Sequence, residues 1–265
     1  AAPPVASAAR QPPPLERLPQ SPTEPAVVQD PYPFYDRARA AGDLIHWTDY
    51  DLPCAVSHRA VTALLRDRRL GREAPPGHGP EIPARLAPFY AIEDHSMLEL
   101  DPPRHTRLRG LVLRAFTTRA IADLGPGIEA LCHDLIDRFP TAGPFDLLDA
   151  YARPVPVVAI CRLLGVPEEE GPQLLDWSNA MVAMYQARRT PEIEAAACAA
   201  ATAFADHLRR HIAARRKAPG TALLDRLIAA EEDGATLSTD ELISTALLLL
   251  HAGHAATAHT TGHGT

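Results

Sequence analysis

The final stretch of the chain, STDELISTALLLLHAGHAATAHTTGHGT, constrains the fold more than any other. Ser238 and Glu241 have the spacing of a capping box, in which each side chain satisfies the other's backbone N–H. The pattern predicts one helix from residue 238 to the end, roughly 40 Å long. Along it, positions 248, 251, 252, 255, 256 and 259 fall on one stripe at helical spacing, reading Leu, His, Ala, Ala, Ala, His. Core helices put leucine and isoleucine there. A stripe of small residues means that something bulky and flat lies against it, or that another helix crosses very closely. Gly253 beside it weakens the helix by about 1 kcal/mol relative to alanine, which points to close approach or local distortion. Thr257, Thr260 and Thr261 can bond back to the preceding turn and bend it.

The histidines leave a second reading open. His251 with His254, and His259 with His263, have i,i+3 and i,i+4 spacings that can hold zinc. No Asp, Glu or Cys nearby completes a set, and the four point in several directions. No metal ligand is therefore assigned, and an all-helical metal-binding protein is kept as the outlying alternative.

The rest of the chain supports a mainly α protein with a small N-terminal β-sheet. Aromatic residues make up only 5% of it, a mix that suits helices better than sheets. Residues 1–26 are rich in Ala, Pro and Ser without apolar period and are expected as a disordered or surface-draped arm. Residues 27–265 show no internal repeat or domain break. A helix is expected in QDPYPFYDRARAAG with Asp30 as cap and Pro31 at its first position. Strands are expected at Leu44–Trp47 and Cys54–Ser57, and a helix capped by Ser57 follows. Residues 69–96 read as one long loop, a kind usually functional. A helix capped by Asp101 covers DPPRHTRLRGLVLRAF, and further helices are expected near 127–139, 148–164, 167–186, 190–216 and 222–232.

A net charge of −7 gives no reason to expect nucleic acid as a partner. The longest strongly apolar run, Ala246–Leu250, is far short of the roughly 20 residues of a membrane span, so no membrane is expected. No charged leader precedes an apolar stretch. The four cysteines, Cys54, Cys132, Cys161 and Cys198, are scattered without CxxC spacing and read as free thiols in a reducing, cytoplasmic compartment.

On the helix after Asp101, His105 and Arg109 are four apart and share a face. Two readings stand there. Either the helix has a solvated basic side, or His105 and Arg109 converge on an anion, for which arginine offers a bidentate, always-charged fork.

Taken together, MLELDPPRHTRLRGLVLRAFT and, some 140 residues on, LLLLHAGHAAT resemble the bacterial cytochrome P-450 family of heme-thiolate monooxygenases. The first is similar to the family's C helix and the second to the I helix that crosses the distal face of the heme. YARPVPVVAICRLLGVPEEE, the region around LLDRLIAAEEDGATLSTDELIS, and AVTALLRDRRLGRE are similar to further family segments, in order, over residues 30–265.

The resemblance implies heme b as cofactor, a small-molecule substrate and a ferredoxin-type electron donor. It implies that His105 and Arg109 contact the heme propionates, that Met97, Leu98 and Phe116 pack at the cofactor, and that Ala252, Gly253 and Ala256 lie over the iron. Leu248 and His251 would face substrate, and Arg104 and Arg107 would help dock the donor.

Two departures qualify it. The acid and alcohol of the family's proton-relay signature are replaced by Ala255 and Ala256, and Thr257 lies about 100° further round the helix. The family's ExxR helix and cysteine-ligand loop are absent from this sequence, so the chain reads as the N-terminal two-thirds of a heme domain. No metal ligand is expected within it, and the axial cysteine is expected in the missing C-terminal part. The alternative is a non-catalytic or truncated relative that binds a ligand without oxygen chemistry.

Overall fold

Short-range polar contacts and small apolar cores set the elements of the computed structural model, which describes residues 14–75, 77–186, 189–232 and 234–264. The chain divides into two units, one ending at Gly71 and one beginning at Arg72.

In the first unit a three-stranded sheet packs against one helix. Strand β1 (Glu16–Leu18) pairs in parallel with β2 (Leu44–Trp47), which pairs antiparallel with β3 (Leu52–Ala55). The five-residue helix α1 (Pro25–Gln29) precedes α2 (Tyr32–Ala41). Ile45, Phe34 and Ala38 form the buried core there, with the rings of Phe34 and Trp47 at 4.7 Å.

The expected arm is thus corrected in part: β1 is built, and residues 1–13 lie outside the described residues. Trp47 Nε1 donates to the Gln20 carbonyl at 2.7 Å, and Asp49 accepts the Gln20 N–H at 2.7 Å. These partners are almost thirty residues away, and a strand of three residues is too short to show a period. The second expected strand runs from Leu52 rather than Cys54 because Leu52 pairs with Trp47, and it stops short of Ser57, which accepts the Ala60 N–H at 3.1 Å as the cap of α3 (His58–Arg66). Pro53 is tolerated because β3 is an edge strand. Helix α2 starts one residue after Pro31, and Asp30 accepts the Tyr32 N–H at 3.3 Å.

The second unit is almost wholly helical. The expected loop at 69–96 is helical in its last third, with a 3₁₀ turn (Ala84–Leu86) leading into α4 (Ala87–Glu93). Two turns are too few for a visible apolar period, yet α4 buries Phe89 and Ile92. Then come α5 (Arg104–Ala115), α6 (Thr118–Ala122), α7 (Gly125–Ile136), a π-helical turn (Leu148–Ala152) and α8 (Pro154–Leu164). After them follow α9 (Gly171–Val182), α10 (Pro191–Lys217), α11 (Leu223–Ala229), a two-residue hairpin of β4 (Glu231–Glu232) and β5 (Ala235–Thr236), and α12 (Thr239–Gly264).

The capping box is present in full. Ser238 N–H donates to Glu241 Oε2 at 2.8 Å, and Glu241 N–H donates to Ser238 Oγ at 3.1 Å. The core is shared by Leu108 and Leu111 of α5, Ile160 of α8, Phe204 and Leu208 of α10, and Leu242, Ile243 and Leu247 of α12. Among the described residues no helix is long and apolar enough to cross a membrane.

Candidate functional site

Asp101 does not cap α5 with its side chain. Its carbonyl accepts the His105 N–H at 3.0 Å, while its carboxylate accepts the backbone N–H of Arg72 at 2.7 Å and of Glu73 at 2.8 Å. Arg104 donates to Glu73 at 2.8 Å and to the Asp94 carbonyl at 2.8 Å. These bonds stitch the loop before α4, and the turn carrying Met97 and Leu98, to the start of α5. Met97 is half-buried against the core, and Leu98 is 48% exposed.

The cations of α5 then divide into two kinds. Arg104 pairs with Glu73, and Arg107 pairs with Glu241 at the head of α12. Each is thus held in an ion pair while its side chain stays partly exposed. His105 is half-buried and Arg109 exposed on one face, and neither side chain has a hydrogen-bond or ion-pair partner among the described residues. Phe116 closes the helix, half-buried on the core.

Helix α12 changes character along its length. Residues 242–247 are buried, whereas further on only Leu250, His254 and Ala258 are, at the spacing of a single stripe. That stripe and Gly253 face α8: a Cβ on Gly253 would lie 2.8 Å from Ile160 Cδ1. The glycine thus answers to a close helix crossing at Ile160. Ala252, Ala255, Ala256 and Thr257 are exposed, and Leu248 is half-buried. The Thr261 hydroxyl bonds back to the Thr257 carbonyl at 2.9 Å, and the helix continues unbroken. Among the described residues the α12 histidines enter no cluster of three metal donors.

His251 and His254 each keep a buried Nε2 without a hydrogen-bond partner, and of the two only His251 adjoins Tyr185 in a ring contact. Burial alone pushes the His251 pKa down to about 4. Its ring stands edge-on to Tyr185 at 6.4 Å. The Tyr185 hydroxyl in turn lies 3.0 Å from both oxygens of Glu93. Burial pushes Glu93 up to about 7, opposed by that hydroxyl, and burial followed by the Glu93 charge pushes Tyr185 up as well. Glu93 and Tyr185 line an open cleft of about 660 Å³ with Phe89, Leu100, Met184 and the cations Arg72, Arg104 and Arg189. Neither Leu248 nor His251 is among its lining residues. Sequence reasoning missed Glu93 and Tyr185, because only burial marks them.

The donors suit a large, flat, doubly anionic cofactor. His105 and Arg109, without a side-chain partner among the described residues, offer donors on one face to carboxylates. Ala252, Ala255 and Ala256 leave a bare helix face, and Met97 and Phe116 add apolar surface. A thiolate ligand is the component missing from the set. Burial pushes the Cys161 thiol up to about 11, Cys198 Sγ donates to the Arg85 carbonyl at 3.3 Å, Cys132 is half-buried on α7, and Cys54 belongs to the first unit. These residue types are of the kind that would meet the propionates and ring of heme, and none of the four cysteines is set up as its axial ligand.

No family model matches the chain. Curated relatives do. The cytochrome P-450 monooxygenase PikC of Streptomyces venezuelae is 35% identical over 241 residues, covering 89% of this chain and 55% of that protein. Vitamin D(3) 25-hydroxylase of Pseudonocardia autotrophica is 36% identical over 243 residues, covering 89% and 57%. Among solved structures, P450BioI in complex with an acyl carrier protein carrying hexadec-9Z-enoic acid superposes with a TM-score of 0.80 at 26% identity, over 88% of this chain and 60% of that one. The match spans about half the length of the curated relatives, 45% of one and 55% and 57% of the two named here.

Proposed function

We propose that this chain, which belongs to the bacterial cytochrome P-450 family and spans part of its length, is the heme-holding portion of a monooxygenase inserting one dioxygen-derived oxygen atom into a small organic substrate. One observation carries the reading. On a helix whose Arg104 and Arg107 are ion-paired, His105 and Arg109 stand on one face without a side-chain partner among the described residues. In a water-poor site a doubly anionic cofactor needs such charge-assisted partners.

Heme b, when bound, supplies the oxygen-activating chemistry. His105 and Arg109 would hold its propionates, and Ala252, Ala255 and Ala256 would leave room for the ring and the small ligand on it. The axial thiolate would come from a residue other than these four cysteines. The cleft beside Glu93 and Tyr185 would admit substrate, with the uncharged His251 of α12 beside Tyr185. Alanines at 255 and 256 can neither hold nor pass a proton, so water or a neighbouring histidine would carry it there. Electrons would come from a ferredoxin-type donor in a cytoplasmic setting. With Arg104 and Arg107 held by Glu73 and Glu241, that docking surface has less free charge than the sequence suggests.

Heme titration of Arg109→Ala and Arg104→Ala tests the reading. Arg109→Ala should lose on the order of 1.5–3 kcal/mol of heme interaction, and Arg104→Ala should lose little. Equal retention in both overturns the assignment. In the full-length protein, the visible spectrum of the reduced, carbon monoxide-bound state should carry the thiolate signature. A second reading, a relative that binds ligand without oxygen chemistry, is favoured by the two alanines alone. A thiolate spectrum with no product from any substrate that perturbs it would support that alternative.

A further inference from the structure

Glu170 ends the 3₁₀ turn Glu168–Glu170 that leads into α9, while His207 and His211 lie one turn apart on a single face of α10. The three meet at one point. Glu170 Oε2 is 3.0 Å from His207 Nε2 and 3.0 Å from His211 Nε2. The two imidazole rings lie 4.6 Å apart, tilted by 55°, and one donor atom from each of the three residues falls within 4.8 Å of the others. The side chains are 12, 22 and 29% exposed for His207, His211 and Glu170, so the cluster is shielded yet reachable from solvent.

Hydrogen bonding explains only half of this arrangement. His211 Nε2 makes a well-formed hydrogen bond to the carboxylate. His207 Nε2 is equally near, but it is buried and has no hydrogen-bond partner. A buried polar atom left unpaired costs free energy. A cation between the three donors removes that penalty, because a ring nitrogen misdirected for a hydrogen bond can still direct its lone pair at a central ion.

Two imidazoles and one carboxylate with a further position open to water form the donor set of open tetrahedral zinc sites. We propose that Glu170, His207 and His211 bind a divalent transition-metal ion, zinc foremost, which clasps the head of α9 to the middle of α10. None of the three enters the heme reading, so the two proposals stand or fall separately.

The test uses the full-length protein stripped of loosely held metal by a chelator, with zinc titrated in competition with a chromophoric chelator. One zinc per chain is expected, together with a higher melting temperature, since a ligand that binds only the folded state stabilises it. Loss of a direct ligand should weaken binding at least as much as loss of an outer-sphere partner does, about 10- to 100-fold. His211→Ala and Glu170→Gln should each show that loss, while the double variant His259→Ala, His263→Ala on α12 should not.

His207→Ala also removes a ring that packs 5.4 Å from Trp177, so the other two variants carry the test if it fails to fold. The same proximity provides a local probe. Nickel should quench the share of the tryptophan emission that Trp177→Phe removes, and His211→Ala should abolish that quenching. No stoichiometric zinc, or zinc and nickel responses unchanged in His211→Ala and Glu170→Gln, overturns the site.

Discussion

The hydroxyl of Tyr185 lies 3.0 Å from each carboxylate oxygen of Glu93, so one proton is offered to two acceptors on a buried acid. Burial outweighs that donation and lifts Glu93 from its ordinary 4.5 to about 7. The folded state then binds a proton more tightly than the unfolded chain does. The stabilisation is fully present below pH 4.5 and is lost as pH rises through about 7. Glu93→Gln mimics the protonated acid and should lack this loss. The two proteins should be similarly stable near pH 5, and the variant should be more stable by on the order of 2 kcal/mol above pH 7. Urea unfolding across that range checks it, and parallel pH profiles would refute it.

Asp225 is almost fully buried beside Arg215 and also accepts the N–H groups of Gly220 at 2.9 Å and Ala222 at 3.0 Å. Removing it leaves a partly buried guanidinium and two backbone donors unmatched. Asp225→Ala should destabilise by about 3–5 kcal/mol, measured by chemical denaturation. A change below 1 kcal/mol would mean that water replaces the carboxylate.

Two glycines should respond differently to alanine. Gly165 ends α8 at φ +73°, and a Cβ there would sit 2.5 Å from that of Ala222, so Gly165→Ala should cost roughly 2–3 kcal/mol. At Gly253 the obstacle is the end of the Ile160 side chain, which can swing aside, and alanine gains about 1 kcal/mol in helix propensity. Its net effect should stay within about 1 kcal/mol. Thermal melts that reverse this order would show the α8–α12 seam to be the more rigid place.

Glu241 both completes the cap of α12 and pairs with Arg107 of α5. Glu241→Ala removes both contacts and should lose about 1–2 kcal/mol, while Arg107→Ala spares the cap and should lose less. Equal losses in denaturant titrations would assign the whole effect to the ion pair.

In the full-length protein, restoring an acid and an alcohol by Ala255→Glu with Ala256→Thr should raise product formed per reducing equivalent consumed. Oxygen uptake measured against product reads the ratio. A ratio that stays the same or falls places proton delivery elsewhere.

What the sequence by itself determined is what neighbouring residues can decide. The box of Ser238 and Glu241, the Ser57 cap and the strand Leu44–Trp47 each depend on residues within a turn or on a local alternation. The bare alanine face of α12 and the shared face of His105 and Arg109 follow from helical spacing alone. Tertiary structure decided everything that needs a distant partner. It paired β1 with β2, turned the Asp101 carboxylate from helix cap to loop anchor, and set Ile160 against Gly253. It also separated ion-paired Arg104 and Arg107 from Arg109, which has no side-chain partner among the described residues, although spacing makes all three look alike. Glu93, Tyr185 and His251 share no local pattern; a common loss of water shifts them. Glu170 and His211 stand 41 residues apart in sequence and meet because α9 packs on α10. Local spacing sets direction around a helix axis, whereas charge state and partnership depend on burial, and burial is a property of the whole packed unit.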